Sequence, residues 1–232
     1  MRKFWGYTSN GKFSVGCSGQ TVYLYDENDT EIKKFKDITY AYTPIISPDG
    51  KIFVVKSTGG MLAVYSLETL SLIKKFRFSK VDGGQDDGFC FSPDGQLFIN
   101  IERQKNSLHS AISFYDTTDF SLVNQILISN NMMLSHIEYD KNTGEYYVLG
   151  FIRDKKRVFD YGFVAKLENQ QIQSITAISE KEYDLYHHYK DLEMMGFTEK
   201  TYEWSYITDY KLDELKSMGL TLAKLYKEKT AR

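Results

Sequence analysis

From Thr43 to Phe78 four short apolar runs alternate with clusters of turn-forming residues. Thr43 to Ile46 leads into Ser47-Pro48-Asp49-Gly50, where proline fixes φ early in the turn and glycine accepts a positive φ later, so the chain reverses tightly. Ile52 to Lys56 follows; Ser57-Thr58-Gly59-Gly60 then turns the chain into Leu62 to Leu67, and Glu68-Thr69 turns it into Leu70 to Phe78. Each run suits a strand of about five residues, and four such strands in succession predict an antiparallel meander. A meander this small cannot bury both of its faces alone, so it needs neighbours of its own kind.

Those neighbours are in the chain. Aligned on their turn glycines, the segments after Gly11, Gly50, Gly95 and Gly144 repeat the pattern at spacings of 39, 45 and 49 residues. The spacing grows because the turn between the second and third strands lengthens. A four-stranded repeat of about 40 to 45 residues is the signature of a propeller blade. FSPDGQLFIN (Phe91 to Asn100), ISPDGKIFVV (Ile46 to Val55) and the strand endings TVYLYD (Thr21 to Asp26) and ISFYD (Ile112 to Asp116) resemble WD-repeat and related propeller blades. In that family SPDG joins the first two strands and a Trp-Asp pair closes the third. Here Tyr-Asp stands for Trp-Asp, the second blade has Tyr65-Ser66, the fourth has no equivalent, and no Gly-His pair opens any blade. The resemblance implies a mainly β fold: a small β-propeller-like array of about four four-stranded blades, at about 1–38, 40–80, 86–130 and 133–178. Lys3 to Thr8 supplies the first strand of the first blade, so each blade is expected to carry its own four strands.

After residue 178 the period changes. Ser179-Glu180-Lys181-Glu182 has the form of a capping box, and Leu185, Tyr189 and Leu192 recur at helical spacing before Gly196, which predicts a helix over about 180–195. Trp204 to Ile207 reads equally as a short strand or a linker. Leu212, Leu215, Met218, Leu222 and Leu225 then mark one face of a helix from about Asp209 to Lys229, with Gly219 as a point where it would break in two. Residues 179–232 are thus a helical segment, expected to pack on the propeller, with a partner-binding or dimer helix as the other reading. The ring is either small and closed or open, and in the open case this segment is expected to shield the edge.

Composition refines this picture in two places. A 15% aromatic content, mostly Tyr and Phe, suits a β-rich interior, and 232 residues at 42% hydrophobic suffice for a sizeable core. A net charge of −2 gives no field for nucleic acid or an anionic membrane, and neither is expected as a partner. With no apolar leader in MRKFWGYTSNGKF and no apolar run of about 18 residues, a soluble, cytoplasmic protein is expected, its Cys17 and Cys90 reduced.

The residues offer little catalytic chemistry. The chain has no glycine-rich phosphate loop, nucleophile elbow, HExxH or CxxC, so neither an enzyme nor a cofactor or metal is expected. His187 and His188 pair with Asp191 and Asp184 at i,i+4; neighbouring helical side chains diverge by about 100°, so the two histidines cannot easily share one ion and read as solvent-exposed. Asp82, Asp86 and Asp87 lie in a glycine-rich acidic loop that lacks the ligand pattern of an EF-hand.

Loop placement carries the functional reading. In a propeller the turns between second and third strands share a face with the connections between blades, where binding surfaces collect. The third blade lengthens that turn through Arg103, Lys105 and His109, the fourth through Arg153, Lys155, Lys156 and Arg157, near the acidic loop at Asp82, Asp86 and Asp87. A bipolar patch of this kind suits a charge-complementary protein partner. The expected function is a non-enzymatic protein-interaction scaffold. Two other readings stay open. A propeller enzyme or sugar- or lactone-binder would need polar side chains at the starts of the first strands, where Thr43, Pro44, Gly88, Ser135, His136 and Glu138 stand; an immunity-type or regulatory protein would neutralise one dedicated partner.

Overall fold

The structure is a computed structural model that describes residues 3–78, 88–103, 110–129, 131–156, 158–169, 171–205 and 209–231. Among the described residues sixteen strands form four separate sheets, each an antiparallel meander in chain order. The first holds β1 (Gly6–Ser9), β2 (Ser14–Cys17), β3 (Val22–Tyr25) and β4 (Glu31–Phe35), and the second β5 (Ala41–Ile46), β6 (Ile52–Ser57), β7 (Met61–Ser66) and β8 (Ser71–Arg77). The third holds β9 (Phe89–Phe91), β10 (Leu97–Arg103), β11 (Ser110–Asp116) and β12 (Leu122–Leu127), and the fourth β13 (Met132–Asp140), β14 (Glu145–Arg153), β15 (Phe159–Glu168) and β16 (Gln171–Ile178). This is the mainly β, propeller-like array that the repeat predicts.

Burial explains why the middle strands read as continuous apolar runs and the last ones do not. β6 and β7 are almost wholly buried, whereas β4, β8 and β12 are largely exposed along their length. Strands covered on both faces need apolar residues at successive positions, while an outer strand tolerates the lysines of β4 and β8.

The SPDG turns work through their serines. Ser47 Oγ donates to Asp49 Oδ1 at 2.7 Å and accepts from the Ile52 amide at 3.1 Å, and Gly50 holds φ at +69°. Ser92 repeats the arrangement with Asp94 (2.5 Å) and the Leu97 amide (2.9 Å). Asp49 and Asp94 are both held below the usual carboxylate range, in each case chiefly by the serine hydroxyl.

The Tyr-Asp endings serve the next turn. Asp26 Oδ1 accepts from the amides of Asn28 (2.9 Å) and Thr30 (2.8 Å), and Asp116 Oδ1 from Thr118 N (2.8 Å) and Oγ1 (2.6 Å). Ser66, where the second blade departs from the motif, does the same for the amides of Glu68 and Thr69. The four turns into the last strands each contain one residue at positive φ: Asp29, Leu70, Phe120 and Asn169. Leu and Phe seldom adopt that conformation. Phe120 offsets its strain by burial, with its ring 6.0 Å from that of Phe98.

Two compact units divide the chain. The first two sheets go with Asp191–Lys216, and the last two with the chain up to Lys190 and from Ser217 onward. In the first unit the core gathers Val15, Leu24, Phe35, Phe53, Val55 and Tyr65. Tyr65 stacks on Phe53 at 4.8 Å, and its buried hydroxyl finds no hydrogen-bond partner among the described residues. Because an unsatisfied buried hydroxyl is a net cost, Tyr65→Phe is expected to raise the unfolding free energy by about 1 kcal/mol, read from the urea midpoint. A lower midpoint would mean that the hydroxyl is satisfied after all.

The C-terminal segment is shared between the units. α1 (Glu180–Met194) starts on the predicted capping box: Ser179 Oγ accepts from the Glu182 amide at 3.3 Å, and Glu182 accepts from the Ser179 amide at 3.0 Å. Glu182 also pairs with Lys229. Partial burial alone would raise the Glu182 carboxyl, but the Lys229 and Ser179 hydrogen bonds outweigh it and bring the pKa to about 2. α2 (Glu199–Trp204), capped by Thr198, occupies residues to which the sequence reading assigned no element and ends on Trp204, the first residue of the 204–207 stretch read as strand or linker; residues 206–208 lie outside the described residues. The expected helix from Asp209 to Lys229 is two helices, α3 (Leu212–Met218) and α4 (Leu222–Thr230). They are separated at Gly219, whose φ is +54°, and α4 restarts on the Thr221 cap.

Each unit packs its share of the segment against its own strands. In the first, the Tyr7 amide donates to the Met195 carbonyl at 3.1 Å, and the hydroxyls of Thr198 and Thr201 donate to the Trp5 carbonyl. In the second, Leu222, Ala223 and Leu225 of α4 are buried with Tyr147, Leu149, Val164, Tyr183 and Tyr186.

Candidate functional site

A row of polar contacts lies where α1 meets β13. β13 carries a bulge: Leu134 lies opposite Gly150 and His136 opposite Leu149, so Ser135 is an extra residue without a cross-strand partner. A bulge re-aims the side chains beside it. Ser135 meets the Tyr183 hydroxyl at 2.7 Å, His136 Nε2 meets His187 Nδ1 at 2.9 Å, and Glu138 meets the Lys190 ammonium at 2.7 Å. On α1 the partners Tyr183, His187 and Lys190 fall at i, i+4 and i+7, a single face of the helix.

Several features hold this seam rigid. The Tyr183 ring stacks on the His187 ring, with centroids 5.4 Å apart and planes at 21°. Glu138 Oε2 also accepts from the Leu222 amide at the start of α4, at 3.1 Å. Gly88 donates to the Ser135 carbonyl at 2.6 Å and accepts from the Ile101 amide at 3.0 Å; a Cβ there would lie 2.9 Å from His136 Cα, so only glycine fits. Ser135, His136 and Lys190 are all buried. Ser135, His136 and Glu138, the polar residues that a channel site would have used, are engaged by the C-terminal helices instead.

His187 and His188 are corrected by the structure. Both are half-buried rather than solvent-exposed, and His187 is hydrogen-bonded to a histidine 51 residues away. Burial lowers the His188 pKa below its ordinary value, with Asp184 opposing weakly. Sequence reasoning missed Tyr183 and Lys190, although the run Tyr183, Tyr186, Tyr189 and Lys190 traces one aromatic-edged helical face.

The charged turns are described in part. Lys105, His109, Arg157, Asp82, Asp86 and Asp87 lie outside the described residues. Arg103 ends β10 opposite Ser110, and Arg153 ends β14 opposite Phe159. Lys155 and Lys156 are exposed in the following turn, which Asp154 braces by accepting from the amides of Lys156 (2.8 Å) and Val158 (3.0 Å). The two hairpins leave this unit at one end: Ser110 Oγ accepts from the Leu134 amide at 2.9 Å, and the Arg153 amide donates to the Asn131 carbonyl at 2.7 Å. Ser110 at the start of β11 and Arg153 at the end of β14 therefore flank the start of β13.

Four separate four-stranded meanders place the chain among propeller-like β proteins. Among solved structures it is similar to hydrazine synthase of Kuenenia stuttgartiensis, with a TM-score of 0.58 and 19% identity over 75% of this chain and 52% of that one. It is also similar to the WD40 domain of Toxoplasma gondii coronin, with a TM-score of 0.54 and 15% identity over 75% of this chain and 45% of that one. At such identities the likeness is one of fold, and the chain spans about half the length of these structures. No family model matches the chain, and no curated protein matches it in sequence. No helix among the described residues is long and apolar enough to cross a membrane.

Proposed function

We propose that the chain is a non-enzymatic protein-interaction module that binds an acidic surface of a partner protein through the basic turns of its third and fourth sheets. The observation that carries this reading is that Ser110, where β11 begins opposite Arg103, and Arg153, at the end of β14, both hydrogen-bond to the chain around the start of β13, with Lys155 and Lys156 exposed just beyond Arg153. The likeness to a WD40 domain supports a scaffold in general terms. Charge gathered in this way acts mostly on the rate and specificity of association, so the complex forms quickly and weakens with salt.

The test compares capture from native lysate by the wild-type protein with capture by a variant carrying Lys105→Glu, Lys155→Glu, Lys156→Glu and Arg157→Glu. The expected result is a protein retained by the wild type at low salt, released as salt rises, and not retained by the variant. Retention by both, or by neither, overturns the reading.

A further inference from the structure

His136 and His187 present ring nitrogens to each other at 2.9 Å, and one turn further along α1 stands Asp191. The ligand-capable atoms of the three residues all lie within 4.8 Å of one another. Although Asp191 is the first residue of the segment grouped with the first two sheets, it belongs to the same unbroken helix as His187. The i,i+4 spacing therefore sets both on one face.

We propose that His136, His187 and Asp191 bind a divalent transition-metal ion of the zinc class, an assignment independent of the proposed interaction function. Two facing imidazole nitrogens share a single proton between them when they hydrogen-bond. An ion replaces that proton and accepts both lone pairs. Zinc–nitrogen bonds of about 2.0–2.1 Å at a tetrahedral angle set the two nitrogens about 3.3–3.4 Å apart, so the rings need to separate by only a few tenths of an ångström. Two imidazoles and a carboxylate favour zinc, cobalt, nickel or copper over magnesium or calcium, which prefer oxygen alone. Three protein ligands leave a fourth position for water or for a group brought by a partner.

The surroundings are those of a ligand set held in place. His136 is 4% exposed and sits beside the bulge that re-aims it. The His187 ring lies against Tyr183, whose hydroxyl is tied to Ser135. Such outer contacts fix ring orientation at metal centres. The nearest other acid on β13, Glu138, is committed to Lys190 and to the Leu222 amide. Because the ligands come from a strand and from a helix, ion binding would fasten α1 to β13.

The full chain, stripped with chelator and desalted, is titrated with zinc chloride by calorimetry and with cobalt chloride by visible absorption. The expected result is one equivalent of zinc bound, and a cobalt spectrum of nitrogen and oxygen ligands without a thiolate charge-transfer band. His187→Ala is expected to weaken binding by at least about 100-fold, the upper range for loss of a contact one shell further out, and Asp191→Asn by about 10-fold or more. His188→Ala, with its side chain about 100° round the helix, leaves the affinity unchanged. Circular dichroism confirms that each variant is folded; a variant that fails it is replaced by His187→Gln. No binding by the wild type, equal binding by the His187 variant, or a thiolate band overturns the assignment.

Discussion

Replacing Glu138 with alanine is expected to lower the unfolding free energy by about 3–5 kcal/mol, the range for removing one partner of a buried ion pair. The cost has two sources. Lys190 is only 6% exposed and would keep its charge in the interior without the carboxylate 2.7 Å away. The Leu222 amide at the start of α4 would lose its acceptor as well, one of the donors that a helix beginning cannot satisfy internally. The double variant Glu138→Ala/Lys190→Met separates the two: it removes the buried ammonium and is expected to recover most of the loss, leaving about 1 kcal/mol for the α4 amide. Urea denaturation of the wild type, both single variants and the double variant gives the cycle. A loss below about 1 kcal/mol in Glu138→Ala would mean that water reaches the pair and screens it.

The same residues show what the sequence could carry. SPDG turns and strand-ending acids act on amides two to five residues away, so their chemistry is local, and the spacing of the turn glycines Gly11, Gly50, Gly95 and Gly144 announces four meanders. The capping box at Ser179 was legible for the same reason. α2 was not, because its one buried residue, Thr201, donates to the carbonyl of Trp5, a contact spanning 196 residues that leaves no apolar period behind. The His136–His187 pair was hidden twice over. The bulge at Ser135 breaks the alternation that says which way a strand residue points, and the i,i+4 acids beside His187 and His188 offered a sufficient local explanation. The sequence pattern reads the charged turns as lengthened hairpins, and of these Lys155 and Lys156 fall among the described residues. The approach of the ends of β11 and β14 to β13 runs through Ser110 and Asn131, which carry no charge.

Close backbone approach is the second thing a sequence pattern does not display, and Gly6 is its sharpest case. β1 pairs with β2 inside its sheet, and its other neighbour is β5 of the next sheet. A Cβ on Gly6 would sit 1.7 Å from the Tyr42 carbonyl oxygen and 2.9 Å from Pro44 Cδ. A carbonyl oxygen and a proline ring cannot rotate aside, so the two strands themselves would have to part. Gly6→Ala is therefore expected to cost about 3 kcal/mol, at the upper end for overpacking. Gly11→Ala is the matched control: its φ is +86° with nothing within 4 Å of the added methyl, so only backbone strain of about 1–2 kcal/mol applies. Thermal and urea unfolding of the pair decide the matter. If Gly6→Ala costs no more than Gly11→Ala, the two sheets can separate freely, and the first unit is held together by its aromatic core around Phe35, Phe53 and Tyr65 rather than by contact of its first strands.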